Sequence, residues 1–181
     1  MTIYIEDHLP VVKYHGLNTQ KAAIFESTIA VTGASTFTGI ATFSAVPVFS
    51  AGLVGSTEVV TATNVITASE SGKTFFVDAA AGFESTLPTA AAGLEFTFIV
   101  KTAPTSNGYT ITGSPADKIF GTVACSGAED TVNGVTANAA DNVILVANVA
   151  LIGDLVKFYS DGTNWYVTGN VNTFAAITAN G

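Results

Sequence analysis

Between residues 25 and 55 the apolar positions recur on a step of six. Phe25, Val31, Phe37, Phe43 and Phe49 lead successive hexads; Glu26, Thr32, Thr38, Ser44 and Ser50 come next, then Ser27, Gly33, Gly39, Ala45 and Ala51. Because six is even, the leading residues also share one face of an extended strand. Parity agrees: the phenylalanines of 31–53 all sit at odd positions among small or apolar residues, while Thr and Ser dominate the even ones. An apolar stripe with a hydroxyl back is a half-buried β surface, and the interleaved Gly and Ala leave room for a second backbone. One chain coiling round three sides at six residues a side needs about eighteen residues per turn. A tract this short then completes fewer than two turns and leaves most of its strand edges unpaired. Three chains wound together supply the missing neighbours. The pattern therefore predicts a trimeric, β-helix-like stalk over 25–55, on the order of 25 Å long, with Phe25, Val31, Phe37, Phe43 and Phe49 on its axis.

After residue 56 the period shortens to two. Strands are predicted at 58–67, 73–79, 95–102, 108–114, 117–124, 142–152, 154–160 and 164–169, separated by turn clusters such as "SESG", "AAAG", "PTSNG", "SPAD", "SGAED" and "SDGT". Regularly spaced short strands without helical periodicity indicate a β-sandwich or barrel. Leu94, Phe96, Phe98 and Val100 share a face, with Glu95 and Thr97 opposite. The segments around "SDGT" form a hairpin. Its second strand places Trp165 and Val167 in the core and turns Tyr166 and Thr168 the other way. Residues 1–24, broken by Pro10 and Gly16, alternate extended pieces with turn material and read as an extended arm.

Composition sharpens this picture. Hydrophobic residues make up 48% of the 181 and charged residues 11%, the reverse of the balance that gives disorder. The net charge is −8, and the six cationic residues are all lysine. Arginine is the usual bidentate reader of phosphate and guanine, so a nucleic-acid partner is not expected. No uncharged run is both long and apolar enough to span a membrane. The opening "MTIYIEDHLP" carries acids where a signal peptide needs bases, so synthesis in the cytoplasm without a secretion signal is expected.

Candidate chemistry is sparse. The single cysteine, Cys125, allows neither an intrachain disulfide nor a Cys-rich zinc site and reads as a small buried hydrophobe. His8 and His15 lie in the arm, at a spacing that does not place two imidazoles on one strand face, and no metal or other cofactor is expected. Glu129 and Asp130 are adjacent acids in a "SGAED" turn and read as a solvated loop rather than a glycosidase pair. No nucleophile elbow, zinc helix or phosphate loop occurs, so an enzyme is not expected. Tyr109 and Tyr166 are candidate glycan contacts, because loops of β-sandwiches often bind carbohydrate through aromatic side chains.

The repeat "TFTGIATFSAVPVFSAG" resembles the shaft segments of trimeric bacteriophage surface proteins. The stretch "STLPTAAAGLEFTFIVKTAPTSNGYTITGSPADKIFGT", followed by "VKFYSDGTNWYVTG", is similar to a C-terminal β-domain common in phage virion proteins. Together these elements cover roughly residues 30–170. The resemblance implies a homotrimeric head-decoration (cement) or head-fibre protein on the virion surface, with a short tail fibre that recognises host-surface glycan as the alternative. The implied organisation is all-β: an arm at 1–24 docking on major capsid protein, an interwound stalk at 25–55 and a jelly-roll-like sandwich at 56–181. Within the arm, Ile3, Tyr4, Ile5, Val11, Val12 and Tyr14 are the expected docking residues, since aliphatic and aromatic anchors carry most interface energy. Light scattering is expected to return close to three times the 18.5 kDa chain mass. Phe43→Asp is expected to abolish that assembly by bringing three carboxylates onto a dry axis.

Overall fold

In the computed structural model, residues 54–126 and 134–181 are described, and they form an all-β unit. The arm, the hexad repeat up to residue 53, His8, His15 and the Glu129–Asp130 pair lie outside the described residues, as do the docking and axis residues named above.

Twelve strands follow one another: β1 (Thr57–Val60), β2 (Asn64–Val65), β3 (Thr74–Val77), β4 (Phe83–Thr86), β5 (Glu95–Val100), β6 (Tyr109–Thr112), β7 (Ile119–Cys125), β8 (Gly134–Ala140), β9 (Asn142–Leu145), β10 (Leu155–Ser160), β11 (Trp165–Val171) and β12 (Ile177–Asn180). They build two sheets, ordered β1-β3-β5-β10-β11-β7-β8 and β12-β9-β6-β4-β2. Side chains from both sheets contribute to one buried core.

The first six strands alternate between the layers. β1, β3 and β5 pair in parallel in the first sheet, and β2, β4 and β6 pair in parallel in the second. Parallel neighbours need a crossover of a dozen or more residues, usually helical. Here the crossover between two strands of one sheet is a strand of the other, so the chain winds as a flattened coil. The coil is then closed antiparallel on both sides, with β9 beside β6 and β10 beside β5. β10 and β11 make the "SDGT" hairpin, and β7 returns parallel to β11. The sandwich is therefore mixed, and its parallel winding differs from the antiparallel Greek keys of a jelly roll.

The core follows from period-two patterning. Phe96, Phe98 and Val100 point inward from β5, Val156 and Phe158 from β10, and Trp165, Val167 and Val171 from β11; all are buried. Across these strands runs an aromatic chain. Phe75 stacks on Phe98 at 5.3 Å between centroids, Phe98 meets Phe158 edge-on at 5.8 Å, and Phe96 meets Trp165 at 5.7 Å. The second sheet contributes Tyr109, Ile111, Val143, Leu145 and Ile177.

Several expected boundaries shift. The stretch 58–67 is two strands, because the chain changes sheets at 61–63. The stretch 142–152 stops as a strand at Leu145: Val149 and Ala150 donate back to the Val146 carbonyl, and Asn148 adopts a left-handed conformation (φ 62°), which asparagine tolerates. Strands β4, β8 and β12 were not expected. In β4 an inward position is Ser85, whose hydroxyl is held by Asn64 Oδ1 at 2.7 Å. In β8 the buried positions among those described, Ala137 and Ala140, are alanines. The pairing of β7 with β8 slips near Gly121, and Ala139 (φ 55°) supplies the extra residue of the bulge. Gly121 itself (φ 133°) cannot carry a side chain, since a Cβ would fall 2.0 Å from the Val167 carbonyl oxygen.

Replacing Phe96 by Ala removes the ring that joins Phe75 to Trp165. The expected loss is about 3–5 kcal/mol in urea unfolding, against less than about 0.5 kcal/mol for the exposed Thr122→Ala.

Candidate functional site

The same alternation that fills the core sorts the outer face of the first sheet into three rows. In the middle row, strand register aligns Thr57, Thr74, Thr97, Lys157, Thr168, Thr122 and Thr136 across all seven strands. On one side Val59, Phe76, Ile99 and Leu155 make an apolar row. It ends near the turn of Leu151 and Ile152, both exposed. On the other side Glu95, Tyr159, Tyr166 and Phe120 stand in line on four adjacent strands. Tyr159 and Tyr166, at the turn ends of β10 and β11, are 41% and 42% exposed.

The aromatic row is held by the turn beside it. Asp161 Oδ1 accepts from the backbone N–H groups of Thr163 and Asn164, each at 2.8 Å, forming an Asx-type turn. Gly162 takes the positive φ of 103° that the turn requires. The second carboxylate oxygen, Oδ2, accepts from the Tyr166 hydroxyl at 2.9 Å, so the phenol is anchored at its rim while its ring stays open. The donations from Asn164 and Thr163, and then from Tyr166, hold the Asp161 carboxyl below the ordinary carboxylate range. The same contact raises the Tyr166 phenol. Phe120 lies 6.3 Å from Tyr166, centroid to centroid, with the rings 33° apart. At the far end Lys157 Nζ sits 4.7 Å above the Tyr159 ring and pairs with Glu95 at 3.0 Å. Glu95 first, and then Tyr159, raise the Lys157 pKa.

All four lysines among the described residues are paired. Lys73 bridges Glu58 and Glu70, Lys101 meets Asp78, Lys118 meets Asp141, and Lys157 meets Glu95. The buried carboxylates are structural. Asp117 accepts from Ala90 N at 2.7 Å, and Asp154 ties the turn at Leu151 to Asn172. Near Asp154 a cavity of about 420 Å³ opens between Ser126, the 151–155 turn, Asn170 and Asn172. Among the described residues no group of three or more His, Cys, Asp or Glu is gathered as a metal would need.

The two candidate glycan contacts part company. Tyr166 is on the open face. Tyr109 is 1% exposed; its hydroxyl accepts from Ala79 N at 2.8 Å and lies within hydrogen-bond reach of the Ala79 and Thr102 carbonyls, to one of which it donates. Its ring packs on Phe83 at 5.0 Å, so Tyr109 is a core residue that pins two loops and is withdrawn as a surface contact. Trp165 is fully buried, as its face predicts. Cys125 is half-buried and packs against the core. Phe120 was not among the expected site residues; counting parity on by one from inward Ile119 would have found it.

A scan against protein-family models gives no match, and neither the curated proteins nor the solved structures supply one.

An acid titration checks the turn. Because the folded Asp161 pKa is depressed, its contribution to stability is present above about pH 3.9 and is lost as pH falls through the lower folded value. The Thr163 and Asn164 amide signals are expected to titrate with a midpoint below that reference. In Tyr166→Phe the midpoint is expected to rise, yet to stay below it, because both backbone donors remain.

Proposed function

We propose that the chain is a non-enzymatic structural component of a bacteriophage virion surface. In this reading it is a homotrimer whose 1–24 arm docks on major capsid protein, whose 25–55 repeat winds into a stalk, and whose 56–181 sandwich is displayed outward. The observation that carries the reading is serial: a hexad repeat that ends by residue 55 is followed at once, at Thr57, by the first strand of an all-β unit with its own core. A trimer over a junction between capsid subunits holds the shell by avidity, since each arm then binds at the high effective concentration set by the other two. A second reading, a short tail fibre that recognises host-surface glycan, is favoured by the open aromatic row around Tyr166.

Co-sedimentation with capsids tests the primary reading. The full chain is expected to pellet with the shells and a variant lacking residues 1–24 to stay in the supernatant. Equal binding by both would overturn the docking role of the arm.

A further inference from the structure

We propose that Tyr166, Phe120 and Tyr159, with the threonine row beside them, form a platform for a neutral oligosaccharide. The site rests on the glycan reading of the sandwich and does not depend on capsid docking.

The first argument is shape. An outward sheet face normally turns polar residues to water, yet here three aromatic residues occupy successive strands in one row. Two interstrand steps span roughly 9.6 Å, a footprint for about two linked pyranose rings. A pyranose is amphiphilic: its axial C–H face is apolar and weakly positive, which suits the negative face of an aromatic ring, while its rim carries hydroxyls. The exposed ring of Tyr166 meets the first requirement, and the half-buried ring of Phe120 extends it. Lys157 already covers one face of Tyr159, so Tyr159 closes the platform with its edge and hydroxyl.

The second argument is the hydrogen-bonding rim. Thr168 and Thr122, neighbours across β11 and β7, place hydroxyls one position along from Tyr166 and Phe120. At the other margin the Asp161 carboxylate keeps lone pairs free beyond those it uses for the turn and for Tyr166. Carboxylates are strong acceptors for hydroxyl donors. The row is also preorganised, because the Asp161–Tyr166 bond fixes the ring before any ligand arrives.

The third argument is charge, and it selects among sugars. Glu95 ends the row and Asp161 borders it, while the two nearby cations, Lys157 and Lys118, are paired with Glu95 and Asp141. A sialylated or sulfated glycan, or a nucleic acid whose bases also stack on aromatic rings, meets net negative potential without a free cation among the described residues. A neutral chain pays no such penalty.

The test is a glycan array carrying neutral hexose and N-acetylhexosamine oligosaccharides beside sialylated and sulfated ones, probed with the full chain, Tyr166→Ala, Phe120→Ala and Tyr166→Phe. Wild type is expected to bind neutral glycans. Tyr166→Ala is expected to weaken binding about tenfold or more, and Tyr166→Phe less, since it keeps the stacking face. Urea unfolding identifies variants that lose binding by unfolding; because Tyr166 is exposed, Tyr166→Ala stays interpretable if Phe120→Ala does not fold. Neutral-glycan binding unchanged in Tyr166→Ala and Phe120→Ala would leave the glycan reading standing and overturn this site. Binding confined to anionic glycans would overturn the charge argument and with it the proposal. No glycan binding by wild type would overturn the glycan reading and the site together.

Discussion

The contact between Phe96, Phe98 and their neighbours on either side decides whether this sandwich exists. β1 to β6 wind as a parallel coil, and β7 to β12 are largely antiparallel additions. Backbone pairing joins the two halves of the first sheet at one seam, β5 against β10. Phe98 on Phe158 and Phe96 on Trp165 cross that seam with buried rings, while Phe75 carries the contact back into the coil. Such rings bury large apolar areas and add geometric preference on top. Without them the coil would end in an open edge at β5, and β10 would become the open edge of a separate four-stranded sheet, β10-β11-β7-β8.

The inner and outer faces are consequences of one alternation. Each strand of the first sheet that places a large apolar residue inside must place its neighbour outside, so the register that aligns the core also aligns six threonines and Lys157 into a row seven strands wide. Threonine suits that position because β-branching favours the extended backbone and the hydroxyl meets water. Tyrosine and phenylalanine at 159, 166 and 120 break the rule of a polar exterior, and they do so together.

Strands with a strong two-residue period were legible in the sequence, and so was the hairpin around Asp161. The period in 94–100 assigned its buried face correctly, and the pair Trp165/Tyr166 was split correctly between core and surface. What stayed hidden has physical causes. β4 carries a serine inside, satisfied by an asparagine twenty-one residues away, and β8 turns the small residues Ala137 and Ala140 inward. No local pattern marks either. Winding direction was also hidden, because an alternating strand reads the same whether its neighbour is parallel or antiparallel. Tyr109 misled for a related reason: an aromatic residue beside a turn suggested a sugar contact, but its hydroxyl meets backbone groups of Ala79 and Thr102 in the interior.

The closure of the coil by β9 and β10 also sets an order in time. The six winding strands are complete by Thr112, yet β5 and β6 gain their antiparallel partners only when Asn142–Leu145 and Leu155–Ser160 have been made. A chain leaving the ribosome therefore carries an exposed β6 edge until Leu145 is made and an exposed β5 edge until Ser160 is made. The turns and bulge between β7 and β9 are crossed during that interval, so the strands from Asn142 onward complete the interior begun by those before Thr112.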